Sequence, residues 1–531
     1  AQAVLGPGDD ALVLPRGVLR VRVLTSWTRF DERYGLNTPN RKAGSIEPLG
    51  VDFSRDTLGV QQFEVLVPLR DGLRSLSGLA NSEVSLGHSV LGLAASVTTI
   101  PFVADVGVTS RLAVGLLVPV VRTRMEAVFS MNPQGREGNL GINPAFDDPT
   151  GANSELVRQF RAAAAALTDR RAFCQANPGE PGCAELNANG AAADTLIAQA
   201  SAFADGLAEI YSDMGSVFVP VTNTELDVAI KSRIAVFGTG FSSFGVPTTF
   251  VGLVGAPNPL TSADAQRVLT EPAFGIAAAP LETISRIGVG DIEIAGKLQW
   301  LNSLPRDQRF TASGFNVRSA VTALVRLGTG RPDSPDNFID LGTGDGQTDV
   351  ELRSQSDLVF GRRTWMTVVG RYAWQLRDHE VRRITAPDQP LAAAYRRQRV
   401  ERDLGDYFEL DVLPRFVLND YVAVGGEYLY RHKSQDSYSG TFNVTNTLGE
   451  PITLDASILN AETRQREQRV GGGIAFSTVA AHRRGRASLP LEITYQYVRS
   501  VTGSGGRTPK VSQHIIQLRA YLPLFARDRR R

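Results

Sequence analysis

The sequence contains no apolar run long enough to cross a membrane as a helix, which takes about 20 residues. Its longest alanine-rich stretch, Ala162 to Leu167, is short and sits among Arg158, Arg161, Arg170 and Arg171. A helical membrane protein is therefore excluded. Net charge is nearly absent, +1 over 531 residues, so no global field draws the chain to nucleic acid. The basic end, Arg527 to Arg531 with Asp528 inside it, reads as a solvated tail. Histidine is scarce, with five residues, and no G-x-S-x-G, H-E-x-x-H or P-loop pattern occurs. No catalytic residue, cofactor or metal site is expected. A repeat of constant period is missing too, which sets aside a propeller.

Cysteine is almost absent: only Cys174 and Cys183 occur, bracketing the turn sequence QANPGEPG. Two cysteines nine apart around a Pro/Gly turn fit one small disulfide loop, and hence an oxidising compartment. With no histidine nearby, two thiols do not make a zinc site. The chain opens Ala1-Gln2-Ala3-Val4, small residues of the kind that flank a signal cleavage site. It is read as the mature chain after removal of an export signal.

What the sequence does have is alternation. Leu489, Leu491, Ile493, Tyr495 and Tyr497 interleave with Pro490, Glu492, Thr494 and Gln496. Ile292, Ile294, Gly296, Leu298 and Trp300 interleave with Asp291, Glu293, Lys297 and Gln299. A period of two marks strands with one apolar and one polar face. Runs of ten or more residues are what a bilayer demands of a strand. Twelve such strands are read at 17–30, 93–108, 112–129, 286–302, 312–327, 347–360, 363–377, 404–418, 420–433, 466–479, 487–501 and 511–525. Short connections, such as Gly361-Arg362 and Asn419-Asp420, alternate with long polar ones. The fold class is thus all-β: an antiparallel transmembrane β-barrel of about 12 strands in a bacterial outer membrane, with short turns and both termini in the periplasm. Trp27, Trp300, Trp365 and Trp374 fall near strand ends, as aromatic girdles do.

The chain divides into a periplasmic N-terminal segment (1–16), first strands with a long loop 35–92 (17–129), an insertion (130–285), the remaining strands (286–525) and a basic periplasmic tail (526–531). Helical spacing appears in the insertion at 153–173, 193–211, 225–237 and 262–270, with the disulfide loop between the first two. Its apolar loops would be a liability in water. It is therefore expected to pack at or inside the barrel mouth, as cap or plug, with an outward surface domain as the alternative.

The stretch from Thr99-Ile100-Pro101 through Val106-Gly107-Val108-Thr109-Ser110-Arg111-Leu112 to Val118-Pro119-Val120 resembles a family of outer-membrane proteins, the putative MetA-pathway of phenol degradation. Gly288-Val289-Gly290-Asp291 is similar to that family's GlGD element, and Leu327-Gly328-Thr329-Gly330 to its lPTG, with Gly328 in place of the proline. Fatty-acid-transporter barrels are a more distant likeness, and their N-terminal plug is not recognisable here. The resemblance covers about half the chain, and the insertion not at all. It implies a transporter of small hydrophobic or aromatic molecules and supplies no catalytic residue.

Alternation assigns a lumen face of both signs. Asp291, Glu293, Glu351, Glu409, Asp411 and Glu427 are its acids, and Lys297, Arg318, Arg326, Arg353, Arg371, Arg415 and Arg519 its bases, with Arg377 on the same register. Such a face either lines an aqueous channel or stiffens a narrow barrel with ion pairs. The carboxylate-rich loop from Asp333 to Asp349 lacks the closing glutamate of a calcium loop and reads as turn chemistry. His432 and Ser500 are noted as a pair that could meet at the rim. The expected function is a channel or transporter for passive uptake or efflux of small solutes. The alternative is a structural or surface-interaction barrel that binds a partner through 130–285. Outer-membrane lipid and a small-molecule solute are the partners expected in the first case.

Overall fold

The computed structural model describes residues 10–35, 44–135, 138–146, 151–212, 215–304 and 314–524. The first nine residues and the tail from 525 lie outside this range, and the readings made on them with them. Twelve antiparallel strands close into a barrel: β1 (Val18–Phe30), β2 (Gly87–Gly107), β3 (Leu112–Met131), β4 (Ile284–Val289 and Ile292–Asn302), β5 (Phe315–Leu327) and β6 (Asp349–Phe360), then β7 (Thr364–Gln375), β8 (Tyr407–Val417), β9 (Val422–Lys433), β10 (Gln465–Ser477), β11 (Leu491–Ser504) and β12 (Ser512–Pro523). Each pairs with the next, and β1 pairs with β12 from Val18↔Pro523 to Arg29↔Ser512, which leaves no barrel edge. These are the twelve strands read from alternation. The largest difference is at β2, which begins at Gly87 rather than 93.

The burial pattern inverts that of a soluble protein. Leu116, Ile294, Leu298, Leu352, Phe408, Ile474 and Leu518 are exposed on the outer wall, while Arg326, Arg371, Asp349, Glu351 and Arg519 are buried inside. Trp27, Trp300 and Trp374 stand outward. Trp365 does not: it packs inside with Leu304 and Val359, and the Arg318 guanidinium lies 5.9 Å from its ring centroid. On β3 the outward apolar run through Val120 is interrupted by Arg122, Arg124 and Glu126 before Val128. With 21 and 20 residues, β2 and β3 span about 65 Å at 3.3 Å per residue, roughly twice the hydrocarbon thickness. Their upper halves therefore stand clear of the apolar band at the long-loop end.

That projecting hairpin carries the insertion. Helices α1 (Leu66–Ser77), α2 (Ala152–Ala176), α3 (Cys183–Ala188), α4 (Gly190–Tyr211), α5 (Glu225–Ser243) and α6 (Ser262–Thr270) share one apolar core with Leu91, Ala95, Met125 and Met131 of the two strands. Phe160 of α2 is its centre, stacked on Phe250 at 4.1 Å and tilted against Phe203 of α4 at 5.3 Å. The four helices read from spacing are α2, α4, α5 and α6. In α1, Leu66, Leu69, Leu73 and Leu76 recur at helical spacing and are all buried, and Gly78 ends the helix with φ 76°. Cys174 and Cys183 form the disulfide, tying α2 to α3.

Candidate functional site: the lumen of the barrel

The chain enters the lumen before its first strand. The sequence reading put residues 1–16 in the periplasm, yet Asp10 to Leu14 run inside the barrel. The Ala11 amide donates to Asp357 Oδ2 at 3.1 Å, Gln299 donates to the Ala11 carbonyl at 2.7 Å, and Lys297 Nζ donates to the Asp10 carbonyl. Ala11, Val13 and Leu14 are buried there. The segment turns back into β1 through the Gly17 amide bonded to Gly107 O at 2.9 Å. A cavity of about 80 Å³ remains beside it, lined by Leu12, Leu14, Arg22, Lys297, Thr322 and Gln517.

Above this segment the walls are laced by ion pairs. Arg326 of β5 reaches Glu293 of β4 at 2.9 Å, and Asp349 and Glu351 of β6 at 2.9 and 3.4 Å. Tyr407 of β8 accepts from Arg326 at 3.2 Å and donates to Glu351 at 2.8 Å. Arg353 joins Glu351 and Glu293, Arg318 binds Asp357 at 2.8 Å, and Arg371 binds Glu409 at 3.1 Å. Arg519 and Arg415 share Glu492, at 3.4 and 3.7 Å. Asp411 of β8 and Glu427 of β9 are buried on the same inner face. Arg318, Arg326, Arg353, Arg371, Arg415 and Arg519 are thus each paired with a lumen carboxylate, which is how a buried charge avoids an uncompensated desolvation cost. Arg377 is the exception: it lies beyond the end of β7, 72% exposed, and pairs with Asp403.

The upper lumen is covered by the loop 328–348, whose Ile339 is buried in the insertion's core. Asp291, at the bend of β4, accepts the Gly330 amide at 2.8 Å and the Asp345 amide at 3.3 Å. Thr123 Oγ1 donates to Leu341 O at 2.9 Å, and Arg286 pairs with Asp340 at 2.5 Å. A Cβ on Gly344 would lie 2.4 Å from Asp291 Oδ2, so this approach requires glycine. The loop's own carboxylates serve its turns, Asp333 accepting from Gly342 at 2.6 Å and Asp340 from Ser334 at 3.0 Å. Below it lies a cavity of about 420 Å³ lined on one side by Val97, Pro119 and Val121 and on the other by Leu341, Arg326 and Arg402. No residue of 130–285 lines it. Burial would lower the Arg402 guanidinium, but hydrogen bonding and charge from Asp378 and Glu380 hold it above its usual value.

The wall itself is thin at one place. Pairing of β8 with β9 skips from Val412↔Tyr428 to Arg415↔Gly425, because Pro414 has no amide hydrogen to give. Gly425 and Gly426 of β9 and Gly471, Gly472 and Gly473 of β10 adjoin this gap. A cavity of about 70 Å³ there is lined by inward Thr367, Arg415 and Gln496 and by outward Pro414, Val424 and Tyr495. It therefore reaches both faces of the sheet. An apolar outer wall, a charged inner wall and full closure belong together only in a lipid bilayer. The protein is a bacterial outer-membrane β-barrel.

No protein-family model and no curated protein matches the chain. Among solved structures, an outer-membrane channel from Pseudomonas putida F1 aligns over 98% of this chain and all of its own, at 10% identity and TM-score 0.42. A toluene transporter of Ralstonia pickettii aligns over 97% and 91%, at 9% identity and TM-score 0.28. A Pseudomonas aeruginosa homologue of FadL aligns over 96% and 90%, at 9% identity and TM-score 0.25. The likeness of this barrel to them lies in the fold.

The histidines do not assemble a catalytic set. Ser500 faces inward and donates to Glu467 at 2.6 Å, whereas His432 takes the opposite face of the wall, so the two do not meet. His514 meets the Tyr495 hydroxyl at 3.0 Å on the outer wall, and His482 bonds the Ala487 carbonyl at 2.8 Å.

Proposed function

We propose that the barrel is a gated passage for the passive uptake or efflux of small molecules with an apolar body and a polar group, and that it performs no catalysis. The long-loop end faces outward in this reading, and the short turns face the periplasm. The observation that carries it is the cavity of about 420 Å³ beneath the loop 328–348, in a lumen that residues 10–14 enter at other places. Neither segment is a strand of the wall, so either can move without opening the barrel. One side of the cavity is apolar and the other charged, which would orient an amphipathic solute. The gap at Pro414 supports an exit for apolar molecules sideways into the bilayer rather than down the axis.

Outward valines at Gly426 and Gly472 test the exit. A Cβ at either position has its nearest neighbour 3.5 Å away, so the barrel tolerates them. Uptake of phenol by cells carrying the G426V/G472V form is expected to fall to that of cells without the chain, with ion conductance unchanged. Full uptake by this variant would remove the side exit from the proposal. Wild-type uptake no faster than in cells lacking the chain would remove the passage itself.

A second reading has its own support. The insertion forms one core on the projecting β2–β3 hairpin and on Ile339 of the covering loop, and none of its residues lines the lumen cavity. That arrangement suits a surface domain that binds a partner, with the barrel as its anchor. The phenol measurement separates the two.

A further inference from the structure

The outer wall carries a second pattern, just above the apolar band at the long-loop end. Following the strand register sideways from β4, the outward residues of one row are Ser285, Arg124, Ser96, Arg29, Ser512 and Arg499. Arginine and serine alternate across six neighbouring strands. The row beneath reads Ile287, Arg122, Thr98, Trp27, His514 and Tyr497. Ile287 is 73% and Trp27 43% exposed on the outer wall, and the Tyr497 ring packs on His514 at 4.9 Å.

Strands lie about 4.8 Å apart, so successive arginines of the row stand about 10 Å apart with only a serine between them. Two long side chains can close over one tetrahedral anion in that space, with the serine hydroxyl as a further donor. Arg124 is already near Glu126, at 3.2 Å with both half exposed, whereas Arg29 and Arg499 pair with no carboxylate among the described residues. Rim charge of the other sign occurs across the barrel, where Asp406 accepts from the Tyr372 hydroxyl at 2.9 Å.

We propose that the row Arg124–Arg29–Arg499 is a binding site for the phosphate of a phosphorylated lipid in the outer leaflet. The guanidinium groups hold the phosphate, and the aromatic and aliphatic row below receives the start of its acyl chains. A soluble anion would have no use for Trp27 beneath Arg29 and Tyr497 beneath Arg499, and this favours the lipid. The site is independent of what crosses the lumen.

The test is the phosphorylated lipid that stays with the protein when it is extracted from outer membranes in mild detergent, counted by mass spectrometry. Wild type is expected to retain it, and the R29Q/R124Q/R499Q form to bind it about a hundredfold more weakly. R111Q/R362Q/R363Q, altered in the short turns at the other end of the barrel, is the control for total charge. It should retain lipid as wild type does. Heat-resistant migration of the folded barrel on gels shows that each variant is intact. Equal retention by the row variant and wild type overturns the proposal, as does equal loss from the control. In a second arm, a bis-phosphorylated glycolipid and inorganic phosphate are titrated into delipidated wild type. Protection against thermal unfolding by the glycolipid alone supports the lipid assignment. Equal protection by inorganic phosphate overturns it.

Discussion

A chain lacking residues 1–16 is expected to conduct ions steadily in a planar bilayer, where the intact chain opens rarely and briefly. Three hydrogen bonds hold Asp10 and Ala11 in the lumen, one of them to the Asp357 carboxylate and one from the Lys297 ammonium. At about 1–2 kcal/mol each they favour the inserted form by roughly 4 kcal/mol. The withdrawn form is then populated about once in a thousand, and burial of Val13 and Leu14 lowers this further. Deletion removes the inserted state, so the open probability should rise on the order of a thousandfold. The barrel itself is untouched, because β1 begins at Val18 and pairs on both sides. An unchanged current from a folded truncated barrel would mean that the segment is not a barrier.

The variant Arg326→Met is expected to destabilise the barrel by about 3 kcal/mol, read as a lower urea midpoint in detergent micelles. Arg326 is 2% exposed and serves Glu293, Asp349 and Glu351 at once. Its removal leaves Asp349 without its ion-pair partner and Arg353 alone to serve Glu293 and Glu351, and breaking a buried pair from one side costs about 3–5 kcal/mol. The lower end applies because the cavity beside it admits water. The loss should be greater than for Tyr407→Phe, which removes a single hydroxyl worth about 1 kcal/mol. In the truncated, conducting form the same substitution should turn selectivity toward cations, since the uncompensated charge is negative. An unaltered midpoint would show that the network contributes no stability.

The wall of this protein was legible in its sequence, and the contents of the lumen were not. Period-two alternation is imposed directly by lipid on one face and water or charge on the other, so it survives in every strand. The same parity that puts Arg371 inside also puts Trp365 inside, and a girdle role for that tryptophan ignored it. Likewise Ser500 shares the register of Glu492 and Gln496, and so points away from His432. The helix α1 was readable from Leu66, Leu69, Leu73 and Leu76, although Pro68 and Gly72 interrupt its helix-forming residues. Residues 10–16 gave no such signal, because a short apolar segment looks the same whether it lies in a lumen or beside it. The inward course of 328–348 left a fainter trace: glycines at 328, 330, 342, 344 and 346, of which Gly328, Gly330 and Gly342 would clash with neighbouring backbone if replaced and Gly344 with the Asp291 side chain. The insertion's apolar loops were read as mouth-filling. They pack on the upper halves of β2 and β3 and on Ile339 of the loop that covers the lumen, and starting β2 at 93 underestimated how far these strands extend.

Single-channel recording of the intact chain beside a double variant, lacking 1–16 and with 331–345 replaced by a short turn, tests most directly whether a passage lies behind the two segments. Rare openings from the intact chain and continuous conductance from the double variant are expected. Silence from a double variant that is folded and inserted would contradict the passage and leave the barrel an anchor for its surface domain.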